Sequence, residues 1–336
     1  MSLNKKIFMG GGTAAITPTD HLMGISYYGN SSTKNVTNFG FSPDMIHIKN
    51  RDQADPNIFF DTTRGNGYYF LSDTYHSMPA TLSQFSFASG GFSAQAHGYI
   101  NGAVNYMSWG WKANGGTTSS NTDGTITTTV QANQEAGFSI IRYNGNYTQG
   151  ATIGHGLGKA PWIWMVVRIS HGENKRSGWN GSNSPQLVSM DNSAGMQPAT
   201  SNTLFPSGSP STNTVITLGN DPSVNYTSGY QYICYAWAPI PGFSAMGSYN
   251  GNGSTQQITT GFQPRLLWLK RKDSTGDWFM IDSFRGNNKQ LNLNDTTTEV
   301  TDTRLTFNST GFELNATTVT NGSGTSHFIA PGHKIN

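Results

Sequence analysis

Apolar residues fall in short runs along this chain, such as Met45-Ile46-His47-Ile48, Ile163-Trp164-Met165-Val166-Val167 and Leu266-Leu267-Trp268-Leu269. The runs are rich in β-branched and aromatic residues and are separated by Gly, Asn, Ser and Pro, with no sustained 3.6-residue periodicity. That pattern predicts strands joined by turns and not amphipathic helices. The expected fold is all-β, built as three tandem antiparallel β-sandwich modules of jelly-roll or lectin-like type.

The number three comes from internal repetition. A Gly-led strand and turn recurs as Gly24 to Asn30, Gly137 to Asn146 and Gly242 to Asn252, each ending in Tyr-x-Gly-Asn or Tyr-Asn-Gly-Asn. A Pro-led apolar strand follows from Pro43, Pro161 and Pro264 and ends in Lys49, Arg168 and Lys270. Pro suits the start of a strand, where no ladder hydrogen bond is lost. Gly followed by an aromatic strand closes each copy, at 102–111, at 229–237 and, in decayed form, at 324–329. The Asn-Gly pairs suggest positive-φ hairpin turns. Together the anchors give an N-terminal docking arm at 1–22 and modules at 23–113, 137–238 and 239–336. A Ser/Thr/Asn-rich connector at 114–136 should hold one strand, at 125–130.

Composition narrows the function classes. Only 11% of residues are charged, the net charge is +2 and the basic residues are scattered, so no stripe exists for phosphate neutralisation and nucleic acid is not an expected partner. Aromatics reach 12%, which lets thin sandwiches bury enough area. The single cysteine, Cys234, excludes an intrachain disulfide and a multi-cysteine zinc site. Lys5-Lys6 precedes only Ile7-Phe8-Met9 before three glycines, short of a signal-peptide core, and no apolar run approaches the ~20 residues of a membrane helix. Secretion by that route and membrane insertion are not expected, and a reducing compartment would cost the fold nothing.

Catalytic chemistry finds little support. Asp61 with Asp73, or Asp282 with Asp295, could be offered as a glycosidase pair. The recurring Asp61-x-x-Arg64-Gly and Asp282-x-x-Arg285-Gly motifs read better as structural ion pairs or turn caps. The middle copy lacks this motif and carries a polar insertion at 171–184. The eight histidines show no metal-ligand spacing, so neither metal nor cofactor is expected. Gly154 to Lys159 resembles a phosphate loop superficially, but Ala160 stands where Ser or Thr is needed. Cys234 fits a core position. Trp162 with Trp164, and Trp109 with Trp111, should each share a strand face and pack between sheets. Trp179 lies among Gly178, Asn180, Gly181 and Ser182, which suggests a polar loop, so Trp179, Asn180 and Asn183 are the candidate binding residues.

The order of Gly-Phe-Ser, Tyr-Asn-Gly-Asn, Gly-Leu-Gly-Lys-Ala-Pro, Asp-x-x-Arg-Gly and a closing Tyr-x-x-x-Ala-Trp strand resembles a repeat family in structural proteins of tailed bacteriophages, often labelled tail fibre or head fibre proteins. The stretch from Ser120 to Ile140 carries much of the likeness, which covers nearly the whole chain after Met23. The resemblance implies a non-enzymatic virion component assembled in the host cytoplasm, with other virion proteins as partners. It suggests a tail fibre or appendage that contacts a host-surface glycan, in a homo-oligomer for which a trimer is plausible. Capsid decoration or a head fibre is the alternative, and a polysaccharide-degrading enzyme the weakest reading.

Overall fold

The computed structural model describes residues 7–8, 16–74, 80–170, 175–180, 186–191, 193–195, 197–198, 203–206, 208–227, 229–286, 288–315, 319–322 and 324–330. The fold is all-β, with antiparallel pairing between every pair of named strands and a single short α-helix, Gly98–Asn101, among the described residues.

All three modules share one topology. In the first, a large sheet runs Leu22–Tyr28, Asn105–Trp111, Met45–Asn50, Ile58–Asp61, Tyr68–Leu71 and Ala80–Thr81. The closing strand therefore inserts between the first and second strands. The second module repeats the order with Phe138–Asn144, Gln231–Trp237, Ile163–Arg168, Arg176–Trp179, Gln186–Ser189 and Gln197–Pro198. The third does so with Ala245–Gly251, Gly324–Ala330, Leu266–Arg271, Trp278–Asp282, Lys289–Asn292 and Val300–Thr301. The closing strand of the third module, decayed in sequence, still pairs on both sides. Small sheets cover one face of each large sheet: Lys34–Val36 with Gly91–Ala94 and Phe85–Ala88, Thr152–Gly154 with Val215–Thr217, and Gln256–Thr259 with Gly311–Leu314 and Leu305–Asn308.

Both faces of the large sheets are buried, which is why their strands read as continuous apolar runs and not as alternation. Outward-facing residues pack on the small sheets, with Ile46, Phe60, Phe85 and Phe92 in one sandwich, Ile141, Val166, Cys234 and Ile216 in the next, and Leu267, Leu269, Phe307 and Phe312 in the last. Inward-facing residues from all three modules form one shared core that includes Met45, Phe59, Trp109, Trp111, Ile140, Met165, Tyr235, Trp237, Leu266, Trp268 and Met280. Trp268 meets Trp111 at 6.1 Å and Trp237 at 5.7 Å between ring centroids, both edge to face. One tryptophan thus touches both other modules.

Contacts between modules run in a single rotational sense. Lys49 of the first donates to the carbonyl of Thr296 in the third, at 3.0 Å, and Lys270 of the third to Ser193 in the second, at 3.0 Å. Lys175 of the second completes the cycle, donating to Thr74 in the first at 2.6 Å. The chain is a pseudo-threefold block.

Each module is locked by the same device. Tyr27, Tyr143 and Tyr249 donate to the carbonyls of Ile100, Val224 and Thr320, and the next residues on, Asn101, Asn225 and Asn321, accept the backbone N–H of Asn30, Asn146 and Asn252. Gly29, Gly145 and Gly251 do not use positive φ, contrary to expectation. A Cβ at any of them would fall 1.9 to 2.2 Å from the carbonyl oxygen of Gly102, Tyr226 or Gly322. Close backbone approach is the reason for glycine.

The expected boundaries shift in two places. The connector holds two strands, Ser119–Asn121 and Thr128–Asn133, which extend the second module's large sheet beside its first strand. In the N-terminal arm, Ile7–Phe8 pairs with the first strand of the third module, and Ile16 packs on Ala136, Ile240 and Phe243. The described part of the arm docks on its own chain.

Candidate functional site

Strand register places Asp61, Trp179 and Asp282 at one equivalent position, opposite Met45, Ile163 and Leu266 on the second strands. Another module's closing strand meets the aspartates. Asp61 accepts the Arg64 N–H at 2.8 Å, the Arg64 Nε–H and the Tyr235 hydroxyl at 2.7 Å. Asp282 accepts the Arg285 N–H at 2.9 Å, the Arg285 Nε–H at 2.7 Å and the Trp109 Nε1–H at 3.2 Å. Both carboxylates are fully buried, and the motifs serve as cap and ion pair together. Tyr27, Tyr143 and Tyr249 face Tyr106, Tyr232 and Ser326, so Trp109, Tyr235 and Ile329 are equivalent. Ile329 carries no side-chain donor, and its junction is the one where Trp179 replaces the aspartate. Donor and acceptor are lost together.

The loop expected around Trp179 is a strand. Trp179 is 2% exposed, lies 4.7 Å from Trp162 and has the Lys272 ammonium 5.9 Å from its ring. It is a core residue and offers no surface to a partner. Its polar-looking neighbour misled: Gly178 is small because Trp164 lies over it, with a Cβ there only 2.2 Å from the Trp164 ring. Asn180 belongs to the same scaffold, donating its backbone N–H to Trp162 at 2.8 Å and its amide to Ser211 at 3.3 Å. Asn183 lies outside the described residues. Trp162 and Trp164 do not share a face, because Trp162 precedes the strand and enters the shared core while Trp164 joins the outer sandwich. Cys234 is a core residue, and burial pushes its thiol well up. Asp73 bonds to Asn57, which precedes the third strand that Asp61 ends, so these two carboxylates stand at opposite ends of that strand. In the third module Asp295 is engaged with Asn292 at 2.7 Å.

The two junctions that keep the ion pair differ in what lies over it. Between the third and first modules, Glu299 reaches in from beside the fifth strand and accepts Arg51 Nε and Nη2 at 2.7 Å each and Arg285 Nη1 at 3.0 Å. Burial works against its ionisation, but the Arg51 and Arg285 guanidiniums hold its carboxyl below the usual range. Between the first and second modules the matching space is a cavity of about 270 Å³, lined by Arg64, Tyr68, Tyr69, Ala80, Arg142, Ile169, Ser170 and Gln231. A second hollow of about 340 Å³ shares Arg142 and Gln231 with it and is otherwise walled by Thr63, Thr118, Thr127, Thr129, Tyr143 and Asn144. The sequence reading missed this cleft, since its walls come from segments of two modules. Among the described residues no group of His, Cys, Asp and Glu is placed to hold a metal ion.

At the opposite end of the third strand, buried ionisable groups crowd together. Burial lowers Lys49 to about 8 and raises Asp73 to about 6; the register-equivalent Lys270, at the junction of the third and second modules, is likewise lowered to about 8 by burial. His47 stacks on Phe59 at 4.1 Å and Trp109 at 4.8 Å, bonds Asn57 through Nε2 at 2.8 Å, and is lowered to about 3, first by burial and further by Lys49 and Arg285. With the folded value below the ordinary 6.5, its contribution is present above pH 6.5 and is lost as pH falls toward 3. Asp73 acts in the opposite sense, its folded form keeping a proton between about 4 and 6 that the unfolded chain gives up. His47→Gln should therefore narrow the fall in melting temperature between pH 7 and pH 5, and an unchanged fall would reject His47 as the acid-sensitive group.

Residues 17–331 match the family model described as Domain of unknown function (DUF7483), and the chain belongs to that family. No curated protein and no solved structure matches it.

Proposed function

We propose that this DUF7483 member is a non-enzymatic structural component on the surface of a tailed-phage particle, in a tail fibre or appendage that touches the host surface. The observation that carries this reading is the shared core: three repeats enclose one apolar centre, and at two junctions Tyr235 or Trp109 of one module donates to a buried, arginine-paired aspartate of another. Such a block is a rigid spacer with three-sided pseudo-symmetry, suited to sitting on or extending an axis of a particle. The resemblance of the repeat motifs to those of phage fibre proteins is consistent with this reading. Asp61 and Asp282, the leading acid candidates, are each occupied by three donors, so the enzyme reading gains nothing from them. Antibody labelling of purified particles by electron microscopy tests the reading. Label at the tail is expected. Regular label over the head would favour decoration instead, and label absent from particles would reject a virion role.

A further inference from the structure

The geometry points to the cleft between the first and second modules as a binding site for a carboxylate-bearing saccharide. The chain supplies its own template for the chemistry. At the junction of the third and first modules, the carboxylate of Glu299 sits on Arg285 and Arg51. Register makes Arg285 equivalent to Arg64, and Val300 equivalent to Ala80, since Gln290 faces Val300 as Tyr69 faces Ala80. Glu299 precedes Val300 in the chain, whereas Pro79 precedes Ala80. In sequence, the first module carries no carboxylate at that position.

The cation that faces it is nonetheless kept. The Arg64 side chain is 4% exposed, spends Nε on Asp61 and Nη2 on Phe59 and Tyr235, and lines the cavity with no acceptor on Nη1 among the described residues. Ile169 stands where Arg51 stood, but Arg142 enters from the first strand, across the closing strand, at the position of Ser26, and restores a second guanidinium. Among the described residues Arg142 spends only Nη2, on Gln231 at 2.8 Å. Over a cavity of about 270 Å³, Arg64 offers Nη1 as Arg285 offers Nη1 to Glu299, and Arg142 supplies the second guanidinium for a carboxylate.

The walls favour a sugar as the carrier of that carboxylate. Tyr68, 40% exposed, offers a ring at the rim, and the adjoining hollow presents four threonines with Asn144 and Gln231, hydroxyl and amide groups matched to a neighbouring sugar ring. This inference rests on the host-binding part of the function proposed above, yet the two fail separately, because particle labelling does not read sugar binding.

Titration calorimetry of the whole chain tests it with trigalacturonate, a glucuronate disaccharide and sialyllactose, against neutral galactose oligomers, acetate and tetraglutamate. At least one acidic sugar should bind more tightly than every control. Arg142→Ala should weaken that binding tenfold or more with an unchanged melting temperature, and Tyr68→Ala should weaken it less. Failure of all three acidic sugars, equal binding of neutral sugars or of tetraglutamate, or full binding by Arg142→Ala would each overturn the assignment.

Discussion

Asp61→Ala is expected to destabilise the chain by about 3–5 kcal/mol, because it strands the nearly buried Arg64 guanidinium without a counter-charge. The carboxylate also holds the Tyr235 hydroxyl of the second module, so the loss falls on a junction and not on one sandwich alone. Asp282→Ala should cost less, since Arg285 keeps Glu299 at 3.0 Å. Urea unfolding of both variants gives the comparison. A loss at Asp61 of only about 1 kcal/mol, the worth of an exposed pair, would show that the buried pair does not brace the junction. Tyr235→Phe, which removes one hydrogen bond to the charged group, should fall between the variants and the native chain at about 1.5–3 kcal/mol.

Trp268→Ala should lower stability by about 3–5 kcal/mol and the melting temperature by roughly 5–10 °C, as expected for a fully buried indole in a large core. Its diagnostic value lies in the shape of the transition. Trp268 joins Trp111 and Trp237 from the other two modules, so calorimetry should show one transition moved as a unit. Two transitions, with only the one belonging to the third module displaced, would mean that the modules melt independently and that the shared core does not couple them.

Much of the fold was legible because the repeats advertise it. The Pro-led strands, the Tyr-Asn-Gly-Asn turns and the Asp-x-x-Arg pairs mark positions where backbone approach or charge burial leaves few alternatives. The connector was harder, since its second strand presents threonines and only Val130 among large apolar residues, and its edge strand Ser119–Asn121 is wholly polar, a pattern that carries no strong period. Trp179 was misplaced because glycine beside it suggested a loop, when the glycine was making room for Trp164. The cleft was invisible for a different reason. Arg64 and Arg142 are far apart in sequence and meet only because the modules close on one another, and a chain read linearly holds no record of which surfaces face inward.

Three junctions in one polypeptide also change what a substitution can do. In an assembly of three identical subunits, any replacement appears three times, and an alteration that opens one contact opens all of them. Here each junction is encoded separately. Glu299 seals one, Trp179 fills another with apolar area, and the third is left open, so diversification at a single face need not loosen the other two.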